Sequence, residues 1–258
     1  MIDVRTLDKT FYRGTPSARH ALNDVSLRLD EGDFAVVIGG NGAGKSTLLN
    51  AIAGEVMPDA GSVWIDETDV TRRPPHRRAG LISRVFQDPL AGSAGGMTIE
   101  ENLALALARG RRRTLGLALT DTRRRSFRDA VAVFNLGLEE RMDQKVELLS
   151  GGQRQSLALA MALVTAPRVL LLDEHCAALD PRTAATVMEA TVDAVRRDGL
   201  TTLMVTHNMQ HAIDHGNRLV MMMDGKIIFE AAGAEKRSLT VEALIERFHL
   251  VDDKMLLV

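Results

Sequence analysis

Hydrophobic positions in this chain fall into two patterns. The first is short unbroken runs: Phe34-Ala35-Val36-Val37-Ile38 ends at Gly39, Val169-Leu170-Leu171-Leu172 at Asp173, and Thr201-Thr202-Leu203-Met204-Val205 at Thr206-His207. Runs that are apolar on both faces predict parallel strands covered on both sides. Ligands of open parallel sheets bind beyond the carboxyl ends of the strands, and all three runs end there in polar residues. The second pattern is thinner. Val25 to Leu29 and Val63 to Ile65 read as strands, and Met221-Met222-Met223 and Ile227-Ile228-Phe229 flank Asp224-Gly225, a hairpin dipeptide. These predict an antiparallel edge subdomain. From about Asp88 to Ala166 the spacing is mostly helical and reads as a separate lobe. Thr240 is the expected N-cap of a final helix, Val241 to Phe248. There is no internal repeat and no low-complexity linker.

The first run opens onto Gly39-Gly40-Asn41-Gly42-Ala43-Gly44-Lys45-Ser46, with Thr47 next, and then Leu48 to Ala53, a helical stretch ending at Gly54. This is the phosphate-binding loop pattern in its strand–loop–helix setting. Glycines let backbone N–H groups turn inward around phosphate oxygens, and the helix start adds positive potential at the same point. Lys45 is expected to reach the β- and γ-phosphates, and the Ser46 hydroxyl to coordinate Mg²⁺. A ligand-free glycine-rich turn is the plainer alternative; the complete motif in its setting weighs against it. At the end of the second run, Asp173 can hold the metal ion, and Glu174 can polarise an attacking water as general base.

Leu149-Ser150-Gly151-Gly152-Gln153 precedes an apolar helical stretch from Arg154 to Leu163. Ser150 with Gln153 three residues on predicts a capping box, and the helix is expected to end before Pro167. Bare glycines in the first turn make this a second anion-binding helix start. One copy does not easily aim both helix starts at one nucleotide, whereas a two-fold dimer does.

With these motifs in this order, the chain resembles the ATP-binding cassette (ABC) ATPase family over essentially its whole length. Gly39–Ser46 is similar to the family's Walker A, Leu149–Gln153 to its LSGGQ signature, and Leu170–Glu174 to its Walker B. The resemblance implies a P-loop NTPase core of α/β class with a mostly parallel sheet, an N-terminal antiparallel β subdomain and an inserted α-helical subdomain. One domain then spans 1–258, with a core lobe of 1–87 plus 167–258 and a helical lobe of 88–166. ATP would be held by Gly39, Asn41, Gly42, Ala43, Gly44, Lys45, Ser46 and Thr47, with Phe11 stacking on adenine and Tyr12 as the fallback. In the second copy Ser150, Gly151, Gly152 and Gln153 would meet the nucleotide, and Asp180 of Ala178-Leu179-Asp180 would cross the interface. Gln87 would sense Mg²⁺ beside Ser46 and Asp173, and His207 would contact the γ-phosphate. The partners implied are an identical or paired cassette, an integral-membrane permease and an extracytoplasmic substrate-binding protein. The resemblance leans to bacterial importers, with an amino acid or related solute, and to the cytoplasmic face of the membrane.

The run Asp173-Glu174-His175-Cys176-Ala177-Ala178-Leu179-Asp180-Pro181 departs from the family, in which Pro-Thr or Pro-Ser follows the glutamate. A metal site at His175 and Cys176 is conceivable, but local packing is the better reading.

Composition narrows the field. A net charge of -2 and 3% aromatic residues argue against a general nucleic-acid binder. A single cysteine, Cys176, excludes an intramolecular disulfide and suits a reducing compartment. The first five residues, Met1-Ile2-Asp3-Val4-Arg5, lack the apolar core of a signal peptide. The stretch from Ser156 to Ala166 is too short to cross a bilayer, so a membrane role must run through partners. Arg109 with Arg111-Arg112-Arg113, and Arg123-Arg124-Arg125, read as a solvated face in preference to a membrane contact. His211 and His215 follow His207 at helical spacing and read as surface residues in preference to a metal cluster. An export or lipid-extraction ATPase, a soluble nucleic-acid-linked cassette and a non-hydrolysing module are the alternatives. The last is disfavoured by the presence of both Glu174 and His207.

Overall fold

The computed structural model of the protein describes residues 1–111 and 116–255, with 249–255 in backbone alone. Arg112 and Arg113 lie outside the described residues. The chain begins with β1 (Ile2–Phe11), β2 (Arg19–Leu29), β3 (Phe34–Gly39), α1 (Lys45–Ala53), β4 (Ala60–Ile65) and β5 (Thr68–Asp69). There follow α2 (Pro75–Arg78), β6 (Ile82–Val85), α3 (Ile99–Leu107), α4 (Asp121–Ala132), α5 (Gly151–Leu163), β7 (Val169–Asp173) and α6 (Pro181–Asp198). The last part holds β8 (Thr201–Val205), α7 (Met209–Asp214), β9 (Arg218–Met223), β10 (Lys226–Ala232), α8 (Gly233–Arg237) and α9 (Val241–Met255). Two compact units result: Met1–Arg72 with Thr201–Val258, and Arg73–Leu200. β6 and β7, which the sequence grouped with 1–87 and 167–258, belong to the compact unit that carries α3, α4 and α5.

In the first unit one antiparallel sheet runs in the order β2-β1-β4-β5. Leu27 and Leu29 of β2 are buried while Ser26 and Arg28 face out, the alternation of a sheet with one wet face. The unit's other sheet runs β10-β9-β3-β8, with β3 parallel to both β8 and β9. The apolar run of β3 is buried along its whole length from Phe34 to Ile38, as is β8, because helices and strands cover both faces. α1 adds Leu48, Leu49 and Ile52 to this core. The β9–β10 hairpin turns through Asp224 at φ 46° and Gly225 at φ 76°, the pair of left-handed residues that a type I′ turn requires. Thr240 Oγ1 accepts from Ala243 N at 3.2 Å, the expected cap, but α9 continues past Phe248 to Met255.

In the second unit β6 and β7 form a parallel pair, with Val85 opposite Leu172. α5 buries every residue from Gln155 to Ala162 and packs on α3, α4, α6 and β6. Two arginines of α4 are engaged locally: Arg123 Nη1 donates to Leu117 O and Ala118 O at 3.0 and 2.9 Å, and Arg124 pairs with Glu100 at 3.1 Å. Among the described residues no helix is long and apolar enough to cross a membrane.

Candidate functional site

The first unit builds a backbone cradle at the end of β3. The loop turns where Ala43 N donates to Gly40 O at 3.2 Å. Gly44 caps α1 at φ 102°, and a Cβ there would lie 2.5 Å from Ala21 O, so only glycine fits both the backbone and the space. No side-chain cap and no acidic residue occupies the first turn of α1. Its early N–H groups and the positive end of its dipole are left for an anion. Lys45 is 7% exposed, and its Nζ donates to Gly39 O at 2.8 Å and Gly40 O at 3.0 Å, holding the ammonium against the loop. Ser46 is exposed one position on.

Two further contacts brace the loop, and neither was visible in the sequence. Arg19 Nη2 donates to Gly42 O at 3.0 Å, and Arg19 is the cross-strand partner of Phe11. Phe11 is therefore one strand pair away from the cradle. Tyr12 sits on the following turn at φ 53°, 73% exposed. From the other side, Gly225 N of the hairpin turn donates to Ala43 O at 3.1 Å and Gly225 O accepts from Asn23 N at 2.9 Å.

β8 lies beside β3 in parallel register, Val37 opposite Val205, and Thr206 N continues the ladder to Val37 O at 3.1 Å. His207 thus emerges, exposed, at the same carboxyl edge as the loop. Asn208 then caps α7 through His211 N at 3.1 Å. At the other end of α7 the buried Lys236 donates from Nζ to Ile213 O, His215 O and Gly216 O at 2.6, 2.7 and 3.0 Å. Burial pulls its ammonium below the usual lysine range. The His211 and His215 rings stand 5.7 Å apart. Among the described residues no group of three or more His, Cys, Asp or Glu is arranged to hold a metal ion.

The second unit repeats this logic on β6 and β7. Gln87 and Glu174 each lie two residues beyond the Val85–Leu172 pair, at one carboxyl edge. The Asp173 carboxylate accepts from Arg84 Nη2 at 2.6 Å, and the Arg84 guanidinium lies 4.6 Å over the Phe86 ring. Arg84 is a charged neighbour that sequence reading missed, because the two residues are 89 positions apart. Glu174 has a left-handed backbone, φ 45°. His175 and Cys176 are buried, and His175 Nε2 faces Thr191 Oγ1 at 3.2 Å. Burial pushes the Cys176 thiol from an ordinary 9.0 up to about 12, which cuts its thiolate fraction at pH 8 by about 10³-fold. Iodoacetamide at pH 8 should therefore leave the folded protein unlabelled and label it in denaturant. Rapid native labelling would contradict this burial.

The capping box at α5 forms as expected: Gln153 N donates to Ser150 Oγ at 3.3 Å, and Ser150 N donates to Gln153 Oε1 at 3.1 Å. Gly151 is exposed but Gly152 is buried against α6, where an added Cβ would lie 2.2 Å from Thr183 Cγ2. Gly152→Ala should force the first turns of α5 and α6 apart and cost about 1–3 kcal/mol, read as a lower urea midpoint; an unchanged midpoint would refute the tight approach. Asp180 caps α6 by accepting from Thr183 N at 3.1 Å. Hydrogen bonds from the Thr183 side chain and backbone hold its carboxyl below the usual range.

The residue types suit a nucleotide with a hard divalent cation. The loop offers N–H donors and a lysine, which suit phosphate, and Ser46, Gln87 and Asp173 each carry an oxygen donor of the kind that Mg²⁺ selects.

Comparison with known proteins agrees. The sequence profile of the family described as "ABC transporter" matches residues 22–177. A tyrosine transport ATP-binding protein of Clostridioides difficile is 41% identical over 248 residues, covering 96% of this chain and 98% of that protein. A putrescine transport ATP-binding protein of Escherichia coli is 34% identical over 88% of this chain, which spans only 56% of that longer protein. Among solved structures, a dimeric ATP-binding cassette in a post-hydrolysis state bound to ADP and Pi is 30% identical, with a TM-score of 0.78 over 90% of this chain and 98% of that one. The chain belongs to the ABC transporter family, as one of its ATP-hydrolysing cassettes.

Proposed function

We propose that this chain energises uptake of an amino-acid-type solute, with an aromatic amino acid as the first substrate class to test, through a separate permease served by an extracytoplasmic binding protein. The substrate class is supported by similarity to the tyrosine transport protein over nearly the whole of both chains. The dimeric relative supports pairing of two cassettes.

The observation that carries the chemistry is the register at the strand ends. In one unit Gly39 and His207 leave adjacent parallel strands at one edge, and in the other Gln87 and Glu174 do the same. The roles follow the family resemblance. Lys45 and the N–H groups from Gly39 to Thr47 hold the phosphates, and Phe11 stacks on the base. Phe11 is favoured over Tyr12 because its strand partner Arg19 holds the loop. Ser46, Gln87 and Asp173 would hold Mg²⁺, which when bound supplies positive charge to the phosphates. Glu174 takes the proton of the attacking water, and His207 orients the γ-phosphate. Ser150, Gly151, Gly152 and Gln153 serve the nucleotide of the second copy, with Asp180 at the interface. Residues 88–166 form the lobe that meets the permease, on the cytoplasmic face of the membrane.

The test is affinity purification of the tagged protein from its native membranes, with mass spectrometry of what accompanies it. A polytopic permease in stoichiometric amount, encoded beside an amino-acid-type binding protein, is the expected result. Recovery with ribosomes, with DNA or without a membrane protein would overturn the transport assignment.

A further inference from the structure

We propose that His175 is a positioning residue for Glu174, acting through a hydrogen bond to Thr191 on α6; the inference rests on the reading of Glu174 as general base. Glu174 holds a left-handed backbone, φ 45°. A glutamate has a Cβ that disfavours this region, so it persists only where the surroundings over-determine it. On its N-terminal side the β7 ladder ends at Asp173. On its C-terminal side stands His175, which does not by itself restrict the backbone of the residue before it.

What His175 supplies is a buried polar anchor. His175 is 2% exposed and Thr191 fully buried. The Thr191 hydroxyl proton is committed to Val187 O at 2.7 Å, so its oxygen is left to accept from His175 Nε2–H at 3.2 Å. Thr191 stands midway along α6, a helix of 18 residues, so the anchor is rigid. The same helix starts at Asp180, whose side chain caps it. The segment from Glu174 to Asp180 is thus fixed to one helix at both ends, and it closes on itself where Ala177 N donates to Glu174 O at 2.9 Å. The direction of the Glu174 carboxylate follows from the backbone that this arrangement sets. Small displacements of a proton-accepting group are costly in rate, whereas nucleotide affinity rests on the phosphate loop.

The test is steady-state ATP turnover of Thr191→Val, which keeps the shape and removes the acceptor, and of Thr191→Ser, which keeps the hydroxyl and opens a methyl-sized gap. Each is made in the native chain and in Glu174→Gln. Thr191→Val should lower kcat on the order of 10- to 100-fold with KM for ATP unchanged. Thr191→Ser should stay near native, which a packing role does not allow, since it removes more volume than valine does. In the Glu174→Gln background Thr191→Val should lower the residual rate no further. Native kcat in Thr191→Val, equal impairment in Thr191→Ser, or an additive loss in the double variant overturns the inference alone. Native turnover in Glu174→Gln overturns the general-base reading and this inference with it. Should Thr191→Val not fold, His175→Gln, which keeps an N–H donor at a reach similar to that of Nε2, is measured against His175→Leu. Equal kcat in the two then overturns the proposal.

Discussion

Lys45→Ala weakens ATP binding by on the order of 100-fold, the loss expected when a charged donor worth about 1.5–3 kcal/mol is removed from a phosphate site. The structure gives this lysine two tasks. Its ammonium brings positive charge to the cradle, and it ties Gly39 O and Gly40 O together at 2.8 and 3.0 Å. Alanine removes both at once. The helix itself tolerates the change, because alanine is the best helix former and α1 buries Leu48, Leu49 and Ile52 independently. Isothermal titration with ATP is the measurement. Affinity within threefold of native in a folded variant would mean that the backbone N–H groups suffice without the lysine.

Glu174→Gln produces the opposite separation. Glutamine matches the glutamate in shape and meets the same backbone demand at φ 45°, but it cannot accept the proton of the attacking water. Turnover should fall by about 10²- to 10⁴-fold, the usual worth of a positioned general base, while ATP binding persists. With hydrolysis blocked, a closed two-cassette species should accumulate on size-exclusion chromatography in the presence of ATP. Near-native turnover would remove Glu174 from the base role. The two variants together distinguish failure to bind from failure to react.

Much of the fold and site was legible because the signals are local. The buried runs of β3, β7 and β8 stand in the sequence as unbroken apolar stretches, since each is covered on both faces. The α5 capping box needs only Ser150 and Gln153, and the hairpin needs only Asp224-Gly225. β1 was not read as a strand, and its irregularity explains why. Ile2 and Val4 are buried, the register shifts at Thr6 with φ 46°, and the next buried residue is Leu7. A bulge of this kind flips the parity on which the alternation rule depends. β6 carries Ser83 and Arg84 between Ile82 and Val85, and the meaning of Arg84 depends on Asp173.

The family, the phosphate loop, the carboxylates and the signature helix can be read along the chain, because each is written in a few contiguous residues whose spacing is their chemistry. Their surroundings cannot be read that way. Arg19 and the hairpin turn at Gly225 brace the phosphate loop, Arg84 pairs with Asp173, Thr183 closes on Gly152, and Thr191 receives His175. These partners come from other strands and helices, and chain folding alone brings them within hydrogen-bond or van der Waals range.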